Sequence, residues 1–249
     1  MRFSDVVKTQ APDLVVSKRH EAWLEHNSNP VYSDRALDFA ATQLHQMPRK
    51  RKGTISASSL GSCVRKQQFE YLGMPQLPMD TKGAMKVQNG TFMHLRWQME
   101  GLTEGWLDEA EVPVNVGHGL AGTMDGVLYN NAVLELKSIN AHGFAGLVTF
   151  GPPKEHLVQM SAYLICSNRN KGVFIYENKD TQEYTEIVYE RSELPVVDVL
   201  SLSRSVQTMI ADQELEEPLN DCIDKKGWRY GSCPYRDRCL SIKKWGEVA

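Results

Sequence analysis

A chain of 249 residues is long enough for one large domain or two small ones. Its 41% hydrophobic and 24% charged residues exclude wholesale disorder, and no uninterrupted apolar run reaches membrane-spanning length. A formal net charge of -3 argues against nucleic-acid binding through bulk charge, so any such binding must come from local basic stretches. The opening "MRFSDVVKTQAPD" lacks the layout of a secretory signal, which predicts a cytoplasmic protein with reduced thiols.

In chain order, "SDRALDFAATQLHQM" predicts a helix with Ser33 as N-cap and Leu37, Ala40, Ala41 and Leu44 on one face. A basic run, Arg49 to Lys52, follows it. "ISASSLGSCVRKQQFEYLG" predicts a helix begun at Ser58 or Ser59 and stopped at Gly73, and a proline-containing connection, "MPQLPMDTKG", comes next. "GTFMHLRWQMEGLTEGW" predicts another helix, with Phe92, Leu95 and Met99 as its apolar stripe and His94 beside it. Five strands are predicted in the middle: "EAEVPVNV", "LAGTMDGVLY", "AVLELKS", "GVFIYEN" and "YTEIVYE". One helix, "PKEHLVQMSAYLICS", interrupts them, and "LPVVDVLSLSRSVQTMIADQ" predicts the last. This order implies an α/β or α+β sheet covered by helices.

Two of these strands carry charges. Glu135 and Lys137 alternate with Leu134 and Leu136, so the leucines serve the core and the charges face a cleft. For Asp125 to reach the same cleft, the turn between the strands must be odd in length or bulged. A two-residue turn at Asn130 and Asn131 would pair Asp125 with Leu136 and leave the two carboxylates on opposite faces. Converging carboxylates make a hard oxygen site suited to Mg²⁺ or Mn²⁺. The competing reading is a plain surface ion pair between Glu135 and Lys137. Gln159 and Tyr163 are one helical turn apart and share a face, which His156 and Cys166 extend.

Asp125 and Glu135-Leu136-Lys137 resemble the signature of the PD-(D/E)xK nucleases. Gly90 to His94, a G-x-x-x-H element, and Gln159 to Tyr163, a Q-x-x-x-Y element, make the segment similar to the RecB-like branch of that superfamily. The resemblance covers roughly residues 54 to 245. It implies a restriction-endonuclease-like fold, a mixed central sheet flanked by helices. It also implies a metal held by His94, Asp125, Glu135 and the Leu136 carbonyl, with Lys137, Gln159 and Tyr163 completing the catalytic set. The implied substrate is DNA, as single strands or duplex ends, and the implied partners are helicases or recombination and CRISPR-adaptation proteins.

Four of the five cysteines, Cys63, Cys222, Cys233 and Cys239, flank the nuclease-like segments, and no C-x-x-C pair is present, which disfavours an ordinary zinc ribbon. The "SSLGSCVRKQQFEYLG" and "CPYRDRC" stretches look like those of AddB-type and CRISPR-associated RecB-like nucleases. That likeness implies a 4Fe-4S cluster clipping the tail to the upstream helix, with zinc as the alternative. The family places a cysteine where Tyr230 stands, so Cys222 must substitute from further away. Arg65, Lys225, Lys226, Arg236 and Arg238 are the expected nucleic-acid contacts. The expected organisation is a helical extension over 1–53, a nuclease core over 54–215 and a cysteine-bearing segment over 216–249. A non-catalytic iron–sulfur DNA-binding module is the alternative function.

Overall fold

The computed structural model describes residues 16–45, 53–115, 119–194 and 199–247. The basic run Arg49 to Lys52 lies outside them. Two helices come first, α1 (Val16–His26) and α2 (Asp34–His45), and the Ser33 hydroxyl accepts the Ala36 N–H at 3.3 Å as an N-cap should. A short strand β1 (Ile55–Ser56) leads to α3 (Val64–Leu72) and the long α4 (Thr81–Glu104). Strands β2 (Leu107–Asn115), β3 (Leu120–Leu128) and β4 (Val133–Ile139) follow. Two helices, α5 (Ala141–Phe150) and α6 (Lys154–Ser167), cross over to β5 (Lys171–Asn178) and β6 (Tyr184–Glu190). The chain closes with α7 (Val199–Ala211) and three short helices, α8 (Asn220–Ile223), α9 (Gly227–Ser232) and α10 (Arg236–Cys239).

Four expectations are corrected. The serines at 58 and 59 form a short 3-10 turn, and α3 begins after Cys63, its N-cap; its end at Gly73 is as expected, in the left-handed conformation at φ 70°. Helix α4 starts at Thr81, nine residues before Gly90, because Asp80 caps it by accepting the Gly83 N–H at 2.6 Å. Its core stripe is Met93, Trp97 and Leu102, while Phe92 is 57% exposed. The crossover holds two helices rather than one; Gly143, Gly146 and the β-branched pair at 148 and 149 make α5 a poor helix by propensity, and Asn140 caps it by accepting the Gly143 N–H at 2.8 Å.

The six strands form one mixed sheet in the order β1-β3-β4-β5-β6, with β2 also paired to β3. β4 and β5 run parallel, as a helical crossover requires, and β2–β3, β3–β4 and β5–β6 are antiparallel. Apolar clusters cover both faces. On one, Leu134, Leu136, Val173 and Ile175 meet Met93 and Trp97 of α4 together with Val16 and Ala36. On the other, Val133, Phe174 and Tyr176 meet Val158, Met160 and Tyr163 of α6 and residues of α5 and α7. Between α1 and α4, His20 Nδ1 sits 2.7 Å from Glu100 Oε2, a buried pair stacked against Trp97. Among the described residues no helix is long and apolar enough to cross a membrane.

A third apolar cluster joins Phe69 and Met74 to Tyr235, Cys239 and Ile242 and seats the tail on α3. Arg65, expected at a nucleic-acid surface, is 2% exposed there. Its guanidinium donates to the carbonyls of Glu216, Cys239 (2.8 Å) and Ile242 (2.6 Å). A buried cation needs such partners, and serving three carbonyls leaves it no phosphate to meet. Gln68 adds two bonds, donating to Glu214 O at 2.9 Å and accepting from Glu216 N at 3.0 Å.

Candidate active site

The site begins at the β3–β4 turn. Gly126 pairs with Leu134 and Val127 with Val133, and Leu128 N–H donates to Ala132 O at 2.9 Å. The loop is therefore three residues, Tyr129 to Asn131, with Asn131 left-handed at φ 65°. Its odd length brings Asp125 opposite Glu135.

Beyond Gly126 the two strands part. Ala121 pairs with Ser56 of β1 and also with Asn115 of β2. A strand has two edges, so β1 lies on the edge that β4 has left, and a fork opens there across residues 122–125. Backbone polar groups inside a protein must be bonded, and two side chains close the gap. The Tyr163 hydroxyl donates to Thr123 O at 2.8 Å, and Leu136 N–H donates to Asp125 Oδ2 at 2.6 Å. Gly122 permits the first of these, since a Cβ there would lie 2.7 Å from the Tyr163 ring.

Four elements converge on the fork. From α4, His94 Nδ1 lies 3.2 Å from Asp125 Oδ1. On β4, Lys137 Nζ lies 2.7 Å from Glu135 Oε1 and donates to Gln159 Oε1 at 2.9 Å. From α6, Gln159 Nε2 donates to Glu135 Oε1 at 2.7 Å and contacts the Tyr163 hydroxyl at 3.1 Å. Gln159 thus holds both Glu135 and Lys137 through opposite ends of one amide. Leu136 points into the core and brings its backbone to the fork, not its side chain.

Glu135 is 3% exposed and Asp125 9%. Burial, followed by the Asp125 charge, pushes the Glu135 carboxyl up to about 8. Burial works against charging His94, but the charge and hydrogen bond of Asp125 outweigh it, and its pKa rises. Glu135 Oε2 is buried without a hydrogen-bond partner among the described residues. Among the described residues no three His, Cys, Asp or Glu side chains are arranged to hold a metal ion as they stand. At the fork the physical reason is plain: Lys137 and Gln159 take up Glu135 Oε1, and Leu136 N–H takes up Asp125 Oδ2.

Two further residues belong to this neighbourhood. Gln98 Nε2 donates to Asp125 O at 2.9 Å and to Glu111 Oε1 at 2.8 Å. Gln98 is four residues after His94, and that helical spacing could have found it. Glu111 lies on β2 between residues paired with Gly126 and Met124, so it stands opposite Asp125, and its backbone is left-handed at φ 53°. Nothing local in the sequence announces that pairing. Next to Lys137, burial and the nearby ammonium hold His156 down at about 4, and its Nδ1 lies 2.9 Å from the Tyr176 hydroxyl.

The four flanking cysteines line one cavity of about 380 Å³, together with Phe69 and Tyr235. They come from the N-cap of α3, from α8, from the end of α9 and from α10. Burial and the other three thiols raise the Cys222 pKa; burial raises that of Cys239 against the pull of Arg65. Cys166 lies apart, packed on the α6 side of the sheet, with its thiol pushed up to about 11 by burial. Lys225, Lys226 and Arg238 are exposed on the tail, and Arg236 donates to Gly231 O at 3.0 Å.

No family model and no curated protein matches the chain. Solved structures do. LHK-Exo in complex with dAMP aligns over 64% of this chain and 89% of its own, with 17% identity and a TM-score of 0.51. SSO0001 aligns over 82% of this chain and 93% of its own, with 20% identity and a TM-score of 0.52. The six-stranded mixed sheet flanked by helices, taken with these likenesses, gives the chain the same fold as LHK-Exo and SSO0001.

Proposed function

We propose that this chain is a divalent-metal-dependent DNA nuclease that acts at DNA ends. The observation that carries the reading is Glu135 Oε2, a buried carboxylate oxygen with no hydrogen-bond partner among the described residues, on a residue held beside Asp125, His94 and Lys137. A buried orphan oxygen is costly, and a cation is the partner that two carboxylates, an imidazole and a backbone carbonyl suit. Asp125, Glu135, His94 and the Leu136 carbonyl would hold Mg²⁺ or Mn²⁺, which supplies charge neutralisation at the phosphate and acidifies water.

The protein's own residues divide the remaining work. Gln159 fixes the Lys137 ammonium, and Lys137 orients the attacking water and stabilises charge at the phosphate. Tyr163 keeps the fork open at Thr123, so that the carboxylates stay apart from the β1 edge. LHK-Exo was solved with dAMP, the kind of product that end-directed cleavage of DNA releases.

The four thiols that share one cavity support a second part of the reading: a 4Fe-4S cluster bound by Cys63, Cys222, Cys233 and Cys239, with zinc as the alternative occupant. Such a group would clip the tail to α3 and needs no electron transfer for phosphodiester hydrolysis. Lys225, Lys226, Arg236 and Arg238 on that tail are proposed to follow the DNA backbone.

The decisive experiment is digestion of 5′- and 3′-labelled single- and double-stranded DNA with each metal. Mononucleotide release in Mg²⁺ or Mn²⁺ is expected, reduced about 10²- to 10⁴-fold in Lys137→Ala, the range a positioned proton-handling group contributes. A wild-type chain that binds DNA but leaves it intact in both metals would favour the non-catalytic binding module.

A further inference from the structure

Past Lys137, on the side away from Asp125, a second concavity of about 430 Å³ opens between α5 and α6. Tyr176 of β5, in register with Lys137 of β4, lies at its inner end, next to His156 of α6. The two rings are stacked, 5.8 Å between centroids and 26° between planes. Gly143, Gly146 and Phe150 form one wall, at the i, i+3, i+7 spacing of one α5 face. Lys154, at the start of α6, supplies a cation at the lining, and among the described residues no carboxylate lines the pocket.

Two features mark the pocket as built for a flat apolar guest. Phe150 is 86% exposed, although a large aromatic ring normally gains by burial. A Cβ at Gly146 would meet nothing within 4 Å, so the wall is open where any other residue would narrow it. An apolar slot with aromatic surfaces and a basic lining matches a nucleotide: a ring to stack and a phosphate to neutralise. The Lys137 charge already acts on His156, so the slot adjoins the proposed cleavage centre.

We infer that this pocket takes the base of the nucleotide next to the phosphodiester being cut, stacked on Phe150 and His156, with Lys154 on the adjoining phosphate. The inference rests on the nuclease reading and deepens it: it assigns a stacking subsite, tolerant of sequence because every base has a flat face. Stacking of one base is worth about 5- to 100-fold in affinity when the aromatic group is removed.

The test uses the full chain on labelled single-stranded oligonucleotides in the metal that supports cleavage. Phe150→Ala should raise KM by about 5- to 100-fold with kcat within about twofold of wild type. Oligonucleotides with one abasic residue, stepped through the first positions from the cut end, provide the second arm. At one position the wild type should lose the same factor, and Phe150→Ala should lose nothing further. Gly146→Leu guards against a folding artefact: it fills the slot from a point where a Cβ touches nothing, so it should raise KM without lowering Tm. Unchanged KM in both variants, or equal abasic penalties for wild type and Phe150→Ala, overturns the pocket and leaves the nuclease standing. A wild type that cuts no DNA in either metal overturns both.

Discussion

On the proposed reading, metal binding depends most on one side chain, Glu135. Its carboxyl is pushed up to about 8, first by burial and then by Asp125, so folding favours the protonated form. An acid whose folded pKa lies above its unfolded value stabilises the protein fully below the unfolded pKa, near 4.5, and loses that contribution as pH rises through about 8. The metal-free protein should therefore lose Tm between about pH 5 and 8, and Mg²⁺ or Mn²⁺ should restore it most at the alkaline end, where the ligand is ionised. Thermal melts across that range with and without metal check both signs. Glu135→Gln copies the protonated carboxyl. It should raise the metal-free Tm at pH 8 by at least roughly 2–4 °C, the equivalent of about 1 kcal/mol in a chain of this size, and abolish the response to metal. A Tm of the wild type that rises with pH in the absence of metal would contradict this account.

The fork between β3 and β4 is the element on which the geometry turns. A three-residue loop sets the register, so deletion of Asn131 should convert the hairpin to an even turn and send Asp125 to the face away from Glu135. The expected result is a folded or loosened protein whose Tm no longer responds to metal. Gly122→Ala is subtler. Its methyl would crowd the Tyr163 ring, at a cost of about 1–3 kcal/mol for overpacking, and draw the hydroxyl off Thr123 O. Activity should fall with stability, as thermal melts and the labelled-DNA digest would read together. The odd turn was legible in advance, because the alternation of leucine and charge is local and a period of two puts both carboxylates on one face only across an odd or bulged connection. The swap of Phe92 for Met93 and Trp97 on α4 was not legible. Which face of a helix is buried depends on the partner sheet, and Trp97 is fixed there by donating to Glu177 Oε2 at 2.7 Å from β5.

At the scale of the molecule, α3 and the tail are held together over a separation of about 150 residues or more by Arg65, Gln68 and the apolar contacts of Phe69 with Tyr235. Arg65→Met would leave three carbonyls without their shared donor. A penalty of about 1–3 kcal/mol for each buried orphan predicts a tail released to protease while the sheet stays folded. Limited proteolysis read by mass spectrometry separates that outcome from global unfolding. If the cysteine cavity holds a cluster, reconstitution with iron and sulfide should raise Tm and protect the same tail in wild type, and Cys233→Ala should lose both effects.

The sequence by itself determined the features that repeat at short range. They include five of the six strands, the cap at Ser33, the stop at Gly73, the odd turn that lets two carboxylates meet and the shared face of Gln159 and Tyr163. Each depends on residues within a few positions, where backbone geometry leaves little choice. Only the tertiary structure decided that Arg65 turns inward to bind the tail, that Glu111 faces Asp125 across β2, that β1 fills the edge abandoned by β4, and that a slot opens beside Lys137 between α5 and α6. Those outcomes depend on which surfaces meet at long range. Burial and hydrogen-bond satisfaction are settled by neighbours in space, and no local pattern of residues names those neighbours.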